Sequence, residues 1–396
     1  MAVTELDAPR FTLTQLWTDT RYRSITMQVL VLAGLFAFLF FVIDNAINNL
    51  ALLGKEVGFD FLDTPASYDI NQTLIEYDSR STHARAAIVG ILNTALVAVC
   101  GIVLATIVGF LLGVARLSHN WLINRISYVY LEFVRNVPVL VHILLVHGII
   151  VTTLPRPKQA ISIGDTAFLS NRGFNIPKPI FEDGFSFVLI ALVVGIAATV
   201  WFARWAHKVQ DETGKIYPVF SIGAGLVLGL PLLAFFATGM PLSFEIPALK
   251  GFNFRGGVTI LPEFAALTLA LSMYTAAFIG EIVRAGIVAI SHGQTEAAYS
   301  MGLRPGRTLR LIIIPQALRV IVPPLTSQYL NLTKNSSLAI AIGYMDVVAT
   351  IGGITLNQTG KELECMVIVM GIYLALSLLI SAFMNWYNRR IALVER

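Results

Sequence analysis

Charge is the first scarcity. Of 396 residues, only 13% are Asp, Glu, Lys or Arg, against 56% hydrophobic. A soluble chain carries about 25% charged residues, so a water-soluble globule is excluded. Cysteine is scarcer still. Cys100 and Cys365 both fall inside apolar runs, which excludes a disulfide framework and predicts inert buried thiols. No Gly-x-x-x-x-Gly-Lys-Ser/Thr stretch occurs, so the chain lacks a loop for nucleotide phosphates. The net charge of +4 is modest, and the cations form no aromatic-interleaved stripe, so nucleic acid is not an expected partner. No Ser/Lys dyad or paired Asp motif falls in the apolar runs, which argues against a membrane-embedded enzyme. His142 and His147 lack metal-ligand companions and read as packing or pore-lining residues.

What the chain has in abundance is long apolar runs. In hydrocarbon the backbone must close its hydrogen bonds internally, so such runs are helices. Hydropathy predicts about eight spans, at roughly 25–43, 84–115, 126–151, 185–203, 217–238, 263–290, 311–331 and 363–387. The run 332–350 is apolar but broken by polar residues, and a short re-entrant helix is expected there. The division that follows is an N-terminal segment 1–24, a first span and loop 25–83, a core 84–151, an insertion 152–262, a second core part 263–390 and a tail 391–396. The two core parts hold nearly every unusual intramembrane polar residue.

Loop charges orient the spans. Arg116 and Arg125, then Arg204, Lys208 and Lys215, then Arg304, Arg307 and Arg310, then Arg389, Arg390 and Arg396 all fall on the side of the N-terminus. The positive-inside rule makes that side, and both termini, cytoplasmic. The loop 152–184 breaks the rule, because it carries Arg156, Lys158, Arg172 and Lys178 on the other side.

The stretch 291–315 lies between two spans on the basic side. Thr295 to Met301 can form a short surface helix that Gly302 terminates. Arg304-Pro305-Gly306 is expected to turn the chain back. An ordinary polar loop is the plain alternative, but the spacing argues for more. Glu296-Ala297-Ala298, then Gly302, then Ile312, Ile314 and Pro315 resembles the EAA loop of ABC importer permeases, with Ile314 where that family has Leu. The resemblance implies a coupling helix that docks on an ATPase, with Thr295, Glu296, Ala297, Ala298, Gly302, Arg304 and Pro315 as its residues.

Three polar constellations mark a candidate substrate path. Glu132 and Arg135 are three apart on one helix face and can pair, before a kink at Pro138. Glu281 and Arg284 repeat the spacing, with Tyr274 two turns earlier. Lys334, Asn335, Ser336 and Ser337 place a cation with amide and hydroxyl donors between apolar runs. Intramembrane ions are functional suspects by default, although either charge pair could simply tie helices together, and Tyr274 and Phe278 could be packing.

These stretches resemble the polar amino-acid branch of the ABC permeases, which includes the histidine and glutamine importers. Arg135-Asn136-Val137-Pro138 stands for its Arg-Gly-Thr-Pro-like stretch, with Asn136 and Val137 departing. Tyr274, Ala276, Glu281 and Arg284 match its Tyr-x-Ala helix, with Glu281 one position late and Ala285 replacing a Gly. Lys334 to Leu338 match Lys-Asn-Ser-Ser-Leu fully. The resemblance covers about 84–151 and 263–390. The extra loop 44–83 and extra spans look like the larger subunit of general L-amino-acid, or glutamate/glutamine/aspartate/asparagine, importers of Gram-negative bacteria.

The resemblance implies an all-α integral membrane protein with a type I importer fold in the bacterial inner membrane. It implies a binding-protein-dependent importer of polar L-amino acids working by alternating access. The partners implied are a second permease subunit in a heterodimer, two copies of a cytoplasmic ABC ATPase, a periplasmic amino-acid-binding protein and membrane lipid. This chain would bind no cofactor, with ATP and Mg on the ATPase. The alternative is an ion-gradient-driven secondary transporter using Glu281 or Glu132.

Overall fold

The computed structural model describes residues 15–391 except 53 and 56. Residues 1–14 of the expected N-terminal segment, and the tail from 392, lie outside the described residues. Among the described residues, seven helices are long and apolar enough to cross a membrane, and a bent pair makes an eighth crossing if counted as one. The helices are α1 (Thr20–Leu52), α2 (His83–Ala115), α3 (Trp121–Asn136), α4 (Val139–Thr153), α5 (Phe185–Thr213), α6 (Val219–Ala237), α7 (Pro262–Val288), α8 (His292–Ser300), α9 (Ile314–Asn335) and α10 (Glu362–Ile391).

The centre is the parallel pair α2 and α7. The Gly109-x-x-x-Gly113 step of α2 faces Ile279, Gly280 and Val283 of α7. A Cβ at Gly113 would stand 2.6 Å from Val283 Cβ and 2.7 Å from the Gly280 carbonyl oxygen. One at Gly109 would stand 2.6 Å from Ile279 Cβ. Small residues let helix backbones approach in a membrane, where apolar burial alone drives little association. Further along, the Ser272 hydroxyl donates to the Gly101 carbonyl at 3.3 Å. Leu267, Leu271, Ile279 and Val283 of α7 are buried, and the core cluster gathers on them.

The expected span 126–151 is instead two helices. Pro138 forces Val137 into an extended conformation (φ −106°, ψ 133°), and α3 and α4 meet at 108°. Asn120 caps α3 by accepting from the Leu122 and Ile123 amides.

The run 332–350 is not re-entrant. It completes the crossing that α9 begins, antiparallel to α2. Tyr329 meets Thr106 at 2.9 Å, and Leu332 packs on Gly101. Tyr344 donates to the Asn93 carbonyl at 3.2 Å, and Thr355 meets His83 at 2.9 Å. From Thr106 to His83 the partners on α2 descend overall, so the chain climbs towards the start of α2. It does so through a 3-10 segment, Ser336–Ile342, a bend at Gly343 (φ 78°) and a π-helical segment, Val348–Thr355. Gly90 leaves room for that bend, because a Cβ there would meet Thr350 Oγ1 and stand 3.0 Å from Val347 Cα.

The insertion contains strands as well as its two helices. These are β1 (Ile161–Ile163), β2 (Ala167–Ser170), β3 (Gly173–Ile176), β4 (Lys178–Phe181), β5 (Leu242–Glu245), β6 (Ala248–Lys250), β7 (Asn253–Arg255) and β8 (Val258–Ile260). They pair as β1-β2-β3-β8, β4-β5 and β6-β7, all antiparallel. The layer sits where α7 begins, at the end opposite α8. It also accounts for two of the cations that break the loop-charge pattern. Lys158 Nζ lies 4.8 Å from the Phe252 ring centre, and Arg172 donates to the Phe252 carbonyl at 3.3 Å. Both tie the two loops together instead of orienting a span.

The loop before α2 is a packed cap. Phe61, Ala66 and Ile70 are buried, and Lys55 pairs with Glu362 at 2.7 Å. At its surface the Ser81 hydroxyl holds the Asp78 carboxyl below the usual carboxylate range.

Gly113→Leu should destabilise the fold by several times the 1–3 kcal/mol of ordinary overpacking, because backbone lies behind the new atoms. Gly371→Leu, with nothing within 4 Å of its Cβ position, should be neutral. Thermal unfolding of the two variants in detergent separates them.

Candidate functional site

Two regions hold the residues singled out in the sequence. The first is α8, which connects α7 to the helical run leading into α9. It begins at His292, three residues before the expected start, and ends as expected at Gly302. The Leu303 amide bonds to the Ala298 carbonyl at 3.1 Å and the Gly302 amide to that of Tyr299 at 2.9 Å. This double bond is a Schellman stop, and Gly302 takes the left-handed conformation it requires, with φ 75°. Ala298 is the buried residue of α8; Thr295 and Ala297 lie beside it, and Glu296 is exposed and meets His292 at 3.0 Å.

The chain does turn back around Arg304-Pro305-Gly306, since Gln316 returns to within 3.3 Å of Gln294. Arg304 is extended and Pro305 opens a helical turn, Pro305–Thr308. A π-helical stretch, Leu309–Ile313, follows. Pro315 is its cause, since a proline offers no N–H and its ring crowds the carbonyl four residues back. Between α8 and the ends of α2, α3 and α7 lies a largely apolar cavity of about 980 Å³. Thus α8 stands off the bundle as a mostly exposed arm.

The second region is the polar path. Arg284 Nη2 donates to Glu281 Oε1 at 2.6 Å, and its Nε lies 3.1 Å from both carboxylate oxygens. The pair is about one-third exposed, and Arg116 and Arg135 add their positive fields at Glu281. The expected Glu132–Arg135 pair does not form. Glu132 and Arg135 are both exposed, and Arg135 turns to the Phe278 ring, 5.6 Å from its centre. Asn136 donates to the Glu132 carbonyl at 2.7 Å, tightening the last turn before Pro138. Tyr274 packs at a tilt against Phe278, with ring centres 5.1 Å apart, and edge-on to His142 at 5.8 Å, so these rings form one cluster beside Arg135.

Lys334, Asn335, Ser336 and Ser337 lie apart from this cluster. By register against α2 they sit near Gly101, whereas Glu281 sits near Gly113. That is a separation of about 18 Å at 1.5 Å per residue. Lys334 is exposed and Ser336 buried, and Ser337 donates to the Lys334 carbonyl at 2.7 Å. Among the described residues Lys334 makes no ion pair.

The sequence reading missed Asn93, Thr94, Asp346 and Tyr373. Asn93 donates to the Met345 carbonyl and Thr94 accepts from the Val347 amide. Their signal was available: Asn93 and Asp346 are lone polar residues in apolar surroundings, and both are fully buried.

The family model described as "Binding-protein-dependent transport system inner membrane component" matches residues 214–393. The chain is 50% identical to the "General L-amino acid transport system permease protein AapQ" of Rhizobium johnstonii, over 96% of this chain and 94% of that one. It is 48% identical to the "Glutamate/glutamine/aspartate/asparagine transport system permease protein BztB" of Rhodobacter capsulatus, over 98% of this chain and 99% of that one.

A double-mutant cycle on Glu281→Ala and Arg284→Ala should give a coupling of about 0.2–1 kcal/mol, the range of partly exposed pairs. Unfolding in mixed micelles measures it, and a coupling near zero would contradict the pairing.

Proposed function

Because the chain belongs to the inner-membrane permease family of binding-protein-dependent ABC importers, we propose that it forms one half of the path through which polar L-amino acids are driven inward by ATP. The observation that carries this reading is α8, an exposed helix with a Schellman stop held between two crossings. A soluble partner that grips α8 moves α7 and α9 with it.

The second half of the path comes from another permease subunit, and two copies of an ATPase bind and hydrolyse ATP with Mg. This chain binds neither. Residues Thr295 to Gly302, with Arg304 and Pro315 behind them, form the coupling contact. Glu132, Arg135, Asn136, Tyr274, Glu281, Arg284 and Lys334 to Ser337 line or shape the path. The basic loops, α8 and both termini are cytoplasmic. The strand layer and the acidic cap face the periplasm, where the amino-acid-binding protein delivers its cargo. Transport follows alternating access, with the path open to one face at a time. Of the two carboxylates an ion-driven mechanism would use, Glu281 is neutralised by Arg284 while Glu132 is not paired, so it is the binding-protein-dependent family that favours the ATP-driven reading.

Gly302→Asp puts a side chain where φ is 75°, a conformation costing an ordinary residue about 1–2 kcal/mol. It should abolish uptake while membrane insertion continues. Glu296→Lys reverses an exposed charge at the coupling contact and should weaken ATPase binding. Pull-down of the ATPase and substrate-stimulated ATP hydrolysis in proteoliposomes test both. Normal binding and hydrolysis in the two variants would make the loop an ordinary connector.

A further inference from the structure

Asp346 is a carboxylate wholly buried in the crossing that follows α9. Its Oδ1 accepts from the Ala349 amide at 2.9 Å. Its carbonyl accepts from the Thr350 amide at 3.0 Å and the Thr350 hydroxyl at 2.8 Å. The side chain therefore anchors the first turn of the segment Val348–Thr355. Its other oxygen accepts from the Tyr373 hydroxyl of α10 at 3.2 Å. Among the described residues no cation pairs with it. An ionisable group kept at membrane depth with neutral donors alone is costly, and such groups mark working parts of membrane proteins.

Tyr373 leads from Asp346 to the polar run. Its hydroxyl lies 3.4 Å from Ser336 Oγ, and Ser336 donates to the Thr333 carbonyl at 2.7 Å. The carboxylate accepts only, so it takes the tyrosine's single proton, and the Ser336 proton, held by the Thr333 carbonyl, reaches the tyrosine oxygen only as the longer branch of a shared bond. Ser336 opens the 3-10 segment, with Lys334 exposed two residues before it and Ser337 half-buried directly after it. The bend between Asp346 and Ser336 is pinned to α2 as well. Val347 bonds to Thr94 at 3.1 Å and Tyr344 to Asn93 at 3.2 Å. Through the Tyr373 hydroxyl, one buried carboxyl thus abuts the turn that carries Lys334 and Ser337.

We propose that Asp346, acting through Tyr373, is a positioning residue that holds Lys334 and Ser337 in place for the carboxylate of the transported amino acid. It touches no substrate itself. The inference rests on reading the run 334–337 as part of the path.

The test uses the assembled transporter with its ATPase and binding protein in proteoliposomes. Asp346→Asn keeps the shape and an acceptor for Ala349 but turns an amide donor toward Tyr373. Tyr373→Phe keeps the carboxylate and removes only the hydroxyl. Each should lower uptake about tenfold or more at saturating binding protein. Assembly and substrate-independent ATP hydrolysis should stay unchanged. Asp346→Asn combined with Lys334→Met should transport no worse than Lys334→Met alone, because both act on one step. A purely structural role would instead lower assembly and multiply the two losses. Wild-type uptake by Tyr373→Phe, or multiplied losses in the double variant, would overturn the inference. Wild-type uptake by Lys334→Met would remove the path reading, and the inference with it.

Discussion

The fold depends on one close contact, the seam where α2 lies against α7. Gly109, Gly113 and Gly280 leave so little between the two backbones that side chains of one helix rest on main chain of the other. In water a core is held mainly by expelling apolar surface, but lipid gives little such drive between helices. Contact distance and hydrogen bonds must substitute. The seam supplies the first, and Ser272 bonding across it supplies the second.

Everything functional is hung from this pair. On one side α3 packs Leu131 and Val134 against Ala277 of α7, which sets Arg135 over Phe278. On the other side α9 and its continuation climb α2 residue by residue, from Thr106 to His83. Gly286 brings Ile321 of α9 against α7, so the two crossings that flank α8 are packed together just behind it. A push on α8 therefore reaches α7 and α9 at once. The insertion stands outside this machine: α5 and α6 pack on each other, with the Thr199 hydroxyl of α5 3.4 Å from the Gly223 carbonyl of α6.

The sequence made the long apolar helices and the coupling loop legible, because their signals are local. A run of twenty apolar residues or a glycine helix stop acts within one stretch of chain. The pairing of Glu281 with Arg284 was legible for the same reason. Glu132 and Arg135 share the spacing yet do not pair, since an aromatic ring on α7 competes for Arg135. Nothing within 121–136 shows that ring. The bend at Pro138 was foreseeable as a kink, but its size of 108° is set by what α3 and α4 pack against. The strands of the insertion are three or four residues long and find partners up to 86 residues away, as Phe174 does with Ile260. Such pairing leaves no short-range pattern. Asp346 stood out as a lone charge in an apolar run, but nothing local named its partner; only the fold brings it to 3.2 Å from Tyr373.

If the seam is what carries motion, α2 and α7 move as one body during transport. Leu112 Cβ lies 3.2 Å from the position a Cβ would take at Gly280, close to the spacing a disulfide needs. In a background with Cys100 and Cys365 replaced, Leu112→Cys with Gly280→Cys can be oxidised to lock the seam. ATP-driven uptake by the locked transporter in proteoliposomes is the direct measurement. Uptake equal to that of the reduced protein is the expected result. Loss of uptake on oxidation, restored by reduction, would show that the two helices must part, and would contradict the account.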